Sequence, residues 1–123
     1  MYVSLIRPVL EYAVQVWATG LKKQQQDELE ALQRRACRII LPKMTYTQAL
    51  EVLSIPLIQE RHLELCKRFF GKMCKPGHRL HHLLPPANTC SYNIRKKHLF
   101  QLPKCKTERF KRSFLPYCLW NFQ

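Results

Sequence analysis

Acidic residues are scarce in this chain. It holds 8 Asp and Glu against 21 Lys and Arg, a formal net charge of +13. Asp27 is the single aspartate among 123 residues. Two-metal phosphoryl transfer needs paired carboxylates that hold both ions, and this composition offers no such pair. Glu28 and Glu30 project from different faces of the helix that carries them. Glycine is also sparse at 3 residues, which argues against a turn-rich all-β fold. No apolar run approaches the roughly 18–20 residues of a membrane span. Arg7 and Glu11 interrupt the N-terminal apolar stretch before the core of a secretion signal forms. The six cysteines, at positions 37, 66, 74, 90, 105 and 118, therefore read as reduced thiols of an intracellular protein, nuclear or cytoplasmic, and not as a disulfide framework.

What is present is charge of one sign, unevenly spread. Residues 1–64 carry 8 basic and 7 acidic side chains; residues 65–123 carry 13 basic and 1 acidic, Glu108. A surface that positive attracts polyanions. Nucleic acid is expected ahead of an anionic membrane, because the basic half also holds aromatic residues suited to stacking and lacks a clean amphipathic basic helix.

Apolar spacing predicts helices over most of the front half. Residues 2–18 repeat Leu5, Ile6, Val9, Leu10, Ala13 and Trp17 at helical intervals, with Pro8 expected to kink or split the segment and Gly20 to end it. Residues 24–41 form the clearest helix, with Leu29, Leu32, Ala36 and Ile39 or Ile40 as the apolar stripe. Its acids lie early and its arginines late, as the helix dipole favours. Thr45 or Thr47 is expected to cap a short helix through Leu53. A further helix runs from about Leu57 to Met73, burying Ile58, Leu65, Phe69 and Met73 with Leu63, Cys66 and Phe70 beside them, and Pro76-Gly77 stops it. One helical turn is expected over His81–Leu84. Residues 87–106 show no regular pattern. The tail turns apolar again at Phe110, Phe114, Leu115, Leu119 and Trp120, which predicts a docked final segment.

Four groups invite a functional reading. The first is the basic set Lys67, Arg68, Lys72, Lys75, Arg79, Arg95, Lys96, Lys97, Lys104, Lys106, Arg109, Lys111 and Arg112, whose cations would neutralise phosphates without reading sequence. The second is Arg34, Arg35 and Arg38, which would line a nucleic-acid groove or else serve the helix dipole and pair with Glu30 or Glu11. His78 and His82 have the spacing of a metal pair, but Cys66 and Cys74 are too far apart to be the tight half of a zinc finger. Cys66 with His62 suggests a thiolate–imidazole pair, yet no orienting third group accompanies it, so a core cysteine beside a surface histidine is the reading adopted. The aromatic tail could stack bases, but most of it reads as a docking surface.

The order of these blocks resembles a known family. YVSLIRPVLEYAVQVW is similar to the run that opens the thumb in reverse transcriptases of non-LTR (LINE-type) retrotransposons of the jockey and chicken-repeat kind. The match rests on Tyr2, Ser4, Leu5, Ile6, Arg7, Pro8, Leu10, Glu11, Tyr12, Ala13, Val16 and Trp17. The stretch Leu29 to Ile40 resembles the family's second thumb helix. Tyr46, Ala49, Leu50, Leu53 and Ile55-Pro56-Leu57 follow in the same order. Arg109, Phe110, Lys111, Ser113, Phe114, Pro116, Tyr117, Trp120 and Asn121 resemble the family's closing motif. The resemblance implies that the chain begins where the polymerase palm ends and lacks the palm's aspartate pair and the element's endonuclease.

The sequence thus predicts an all-α fold, a bundle of about four helices with an irregular basic C-terminal extension. Residues 1–75 form the helical thumb-like part and residues 76–123 the basic extension with its aromatic docking tail. The expected function is non-catalytic clasping of an RNA or DNA template–primer through its phosphate backbone, by Arg34, Arg35, Arg38, Lys67, Arg68, Lys72, Lys75, Arg95, Lys96, Lys97, Arg109, Lys111 and Arg112. No cofactor, metal or membrane is expected, and the palm of a parent polymerase is a further expected partner. The alternatives are a protein-interaction remnant and a transposon-derived fragment without function.

Overall fold

A computed structural model describes residues 1–89 and 98–123 of the protein. The fold is all-α. Its elements are α1 (Arg7–Glu11), α2 (Val14–Trp17), α3 (Lys23–Ile40), α4 (Tyr46–Leu53), α5 (Ile58–Met73), α6 (Glu108–Lys111) and α7 (Phe114–Asn121). A π turn over Tyr2–Ile6 leads into α1, and single 3₁₀ turns cover Ala18–Gly20 and His81–Leu83. Among the described residues the only β pairing is an isolated antiparallel bridge between Ala87 and Phe100.

The N-terminal segment breaks where the sequence does not announce it. Pro8 sits in the first turn of α1, where its missing N–H costs no hydrogen bond. The irregularity it brings falls in the π turn ahead of it, where the Arg7 amide reaches back to the Tyr2 carbonyl. The separation comes at Tyr12–Ala13. Ala13 adopts a left-handed conformation, φ 49°, rare for a residue with a Cβ. The Trp17 indole N–H holds this corner by donating to the Tyr12 carbonyl oxygen at 2.8 Å. The corner turns Val14 and Ala18 inward and leaves Leu5, Ile6 and Val9, expected on the buried face, in solvent. Gly20 is likewise not a left-handed helix terminus; Ser54, after α4, is.

Helix α3 is also rotated from its expected setting. Leu32, Ile39 and Ile40 are exposed, and Gln33 and Cys37 are the buried residues. The reason is a polar network that apolar spacing does not reveal. The Tyr2 hydroxyl donates to Gln33 Oε1 at 2.8 Å. Gln33 Nε2 donates to the Tyr46 hydroxyl at 3.1 Å and to the Pro56 carbonyl at 3.0 Å. The Tyr46 hydroxyl donates to Glu30, whose second oxygen accepts the Ile58 amide at 3.0 Å. Glu30 of α3 thereby caps α5, placing a negative charge on the positive end of that helix. Burial pushes the Tyr2 phenol up to about 12 and the Tyr46 phenol higher still, so both stay protonated as donors.

The predicted helix ends largely hold. Thr45 precedes α4, and its amide donates to Gln48 Oε1 at 3.2 Å, half of a capping box. After α5, Gly77 takes φ +91° and makes the turn at Pro76-Gly77.

Helix α5 is the hub, touched by α2, α3 and α7. Ile58, His62, Cys66, Phe70 and Met73 form its buried face. His62 is thus not the surface residue expected, and Leu63 faces solvent. From the N-terminal side Val14 and Ala18 close on Cys66; from the C-terminal side Cys118 and Leu119 close on Phe70. Phe114 and Phe122 pack against both groups and join them. Each large side chain so buried contributes roughly 1.5–3 kcal/mol. Gln123 ties the preceding segment down, accepting the Phe100 amide at 2.9 Å and donating to the Leu119 carbonyl at 2.6 Å.

Candidate nucleic-acid interface

The cations predicted to meet phosphate stand on the surface wherever they are described. Lys67, Arg68 and Lys72 project from the exposed side of α5, away from the face that packs on α2 and α7, and Lys75 is exposed just after the helix. Arg68 and Lys72 lie one helical turn apart and share a face. Arg68 is partly committed, at 2.6 Å from Glu64. Lys67, Lys72 and Lys75 form no ion pair among the described residues. Arg79, Lys104 and Lys106 are exposed as well. Arg95, Lys96 and Lys97 lie outside the described residues.

Arg34, Arg35 and Arg38 line a shallow open groove along α3 together with Ala31 and Ile39. The expected pairing with Glu30 or Glu11 does not occur. Glu30 is occupied by Tyr46 and Ile58. Glu11 accepts from Arg7 at 2.7 Å and from Arg61 at 3.2 Å, which anchors α1 to α5. The Arg34 guanidinium instead sits 5.2 Å from the centroid of the Tyr46 ring, a cation–π contact. It is held in place without being neutralised, and the groove keeps three uncompensated charges.

Arg109 and Arg112 face a second, deeper groove, and Lys111 is exposed beside them. Thr107 starts α6 by accepting the Phe110 amide on its hydroxyl at 3.2 Å. That cap sets the short helix with Arg109 and Arg112 on one side. Across the groove stand Lys22, at the start of α3, and Trp17. Sequence reasoning missed Lys22 and Trp17, which lie roughly ninety residues from the arginines they meet; no local pattern connects them.

Two other candidates resolve into structure. His62 Nε2 lies 3.1 Å from the Leu10 carbonyl oxygen, an acceptor, so this nitrogen carries the proton. The Trp17 ring meets the imidazole edge-on at 5.1 Å. Burial lowers the His62 pKa and raises that of the Cys66 thiol. A neutral imidazole donating to a backbone carbonyl beside a protonated thiol is packing, not a nucleophile. His78 accepts the Leu80 amide at Nδ1 and lies edge-on to Phe69, while His82 Nδ1 sits 2.8 Å from the Arg79 carbonyl. Among the described residues no three His, Cys, Asp or Glu side chains gather as a metal-holding group.

The tail divides by exposure. Phe114, Tyr117 and Phe122 pack inward, whereas Phe110 and Trp120 remain exposed. Among the described residues no helix is long and apolar enough to cross a membrane. Comparison with protein-family models, with curated proteins and with solved structures returns no match.

Proposed function

We propose that this chain binds nucleic acid through the phosphate backbone, without sequence preference, as a non-catalytic thumb-and-connection piece of a retrotransposon reverse transcriptase. The observation that carries the reading is the set of exposed cations left without carboxylate partners on α3, α5 and α6. Three of the eight acids are engaged elsewhere. Glu30 caps α5, Glu11 holds Arg7 and Arg61, and Glu64 is shared between Arg61 and Arg68. Phosphates would meet cations most of which form no ion pair among the described residues, and counterion release would supply the affinity. The family resemblance gives the composition a purpose, since a thumb must hold any template–primer.

Titration of a labelled template–primer at several salt concentrations tests the proposal. For about five phosphate contacts, log affinity should fall with log salt at a slope near −4.5 on duplex. Affinity that ignores salt, or no binding at low salt, refutes it.

A second reading rests on a separate observation. Val3, Leu5, Ile6, Val9, Tyr12 and Val16 are all exposed along the N-terminal segment. Exposed apolar side chains gathered on one segment favour a protein-contact face. Under this reading the chain is an interaction remnant, and sedimentation would detect association without nucleic-acid binding.

A further inference from the structure

The groove between the start of α3 and α6 is the place where the two halves of the chain combine their chemistry. Lys22, Arg109 and Arg112 line it with Val16, Trp17 and Glu108. Three cations therefore face one carboxylate, and none of the three forms an ion pair among the described residues. The groove is broadly open to solvent, and its volume of about 690 Å³ falls within the ~300–1,000 Å³ range of small-ligand sites. Its aromatic wall is preset: the Trp17 indole is fixed by its bond to the Tyr12 carbonyl and by its edge contact with His62. A ring held in advance loses little entropy when a planar group stacks on it. Val16 beside it is exposed and apolar.

We propose that this groove seats an unpaired nucleotide of a single strand, its base against Trp17 and Val16 and its phosphates on Arg109, Arg112 and Lys22. The inference rests on the nucleic-acid reading above and deepens it. That reading asks only for a positive surface, and a duplex would satisfy it. A fixed aromatic wall beside converging cations is instead the arrangement that holds an unstacked base, because bases paired in a duplex present no open face. Guanidinium groups at positions 109 and 112 add the forked geometry that suits phosphate oxygens.

The test uses the full chain with Trp120→Phe, which leaves Trp17 as the sole tryptophan reporter. Titration with short oligothymidylate should quench its fluorescence, and a blunt duplex of the same length should quench it less. Arg109→Gln with Arg112→Gln should weaken oligothymidylate binding about tenfold and flatten its salt slope by about 1.4, the value for two lost single-strand phosphate contacts. Lys67→Gln with Lys72→Gln, the same charge loss on α5, should leave the quench intact. Circular dichroism checks that each variant keeps its helices; both pairs are exposed, so their removal uncovers no core. Where the Arg109/Arg112 pair merely fails to fold, Lys22→Gln, at an exposed residue across the groove, gives the answer, with weaker oligothymidylate binding and a salt slope flattened by about 0.7 for one lost single-strand phosphate contact. Binding that persists with equal losses for the two charge pairs, or with no quench, overturns the seat and leaves the general phosphate reading standing. Absence of binding to either nucleic acid overturns both.

Discussion

Replacing Glu30 by glutamine should loosen the joint between α3 and α5. The substitution keeps the size of the side chain and removes its charge. Two donors now end on that carboxylate, the Tyr46 hydroxyl and the Ile58 amide. Hydrogen bonds to a charged acceptor are each worth about 1 kcal/mol more than neutral ones. The negative charge at the start of α5 adds roughly 0.5–1 kcal/mol. Release of a half-buried charge from its desolvation penalty offsets part of the loss, which leaves a net cost of about 2 kcal/mol. Domains of this size have a total stability of ~5–15 kcal/mol, so the shift should be plain in a urea melt at neutral pH. Glu28→Gln is the control. Glu28 lies on the same helix, is exposed, and among the described residues its one side-chain hydrogen bond is from Gln24, at 3.2 Å. Its replacement should stay within about 0.5 kcal/mol of the parent. If the two variants melt together, the network does not fasten α3 to α5, and the account given for the rotation of α3 is wrong.

Two further outcomes follow from buried groups. Burial depresses the His62 pKa below its usual 6.5, so the unfolded chain binds this proton more readily than the folded one. Stability should be complete above about pH 6.5 and decline as pH falls through that value, with a slope no steeper than about 1.4 kcal/mol per pH unit. His62→Gln should flatten that decline, and an unchanged pH profile of urea midpoints would show that another group controls it. Cys118 is fully buried against α5, so Cys118→Ser should cost about 2 kcal/mol for a hydroxyl left without a partner, although it removes little volume. Thermal melts that place it level with Cys105→Ser, at a half-exposed thiol, would contradict the packing described.

The helices that depend on local chemistry were legible in the sequence. Thr45 announced α4, and Pro76-Gly77 announced the end of α5. The tail's apolar return marked a docked segment, although Cys118 beside Leu119 carries more of its burial than the exposed Phe110 and Trp120. What escaped was decided by distant partners. Gln33 is buried because Tyr2, Tyr46 and Pro56 complete its hydrogen bonds, and none lies within one helical turn of it. Apolar spacing alone therefore chose Leu32 and Ile39 for the interior. The break at Tyr12–Ala13 hides for the same reason, since an alanine gives no sign of a left-handed turn while Pro8 nearby gives a false one. For the interface, the identity of the cations was readable from charge alone. Their grouping was not. Arg109 and Arg112 share a groove with Lys22 and Trp17 because α7 carries the preceding α6 back toward the N-terminal segment.

The convergence on α5 has a temporal side. Val14, made before α5, shields one stretch of this helix, and Leu119, made well after it, shields the next. A chain growing from its N-terminus reaches Leu119 some fifty residues after Phe70, so the full cover of that ring arrives late. Premature termination anywhere in that interval would release a product with a bare aromatic seam, a ready substrate for chaperones and proteases.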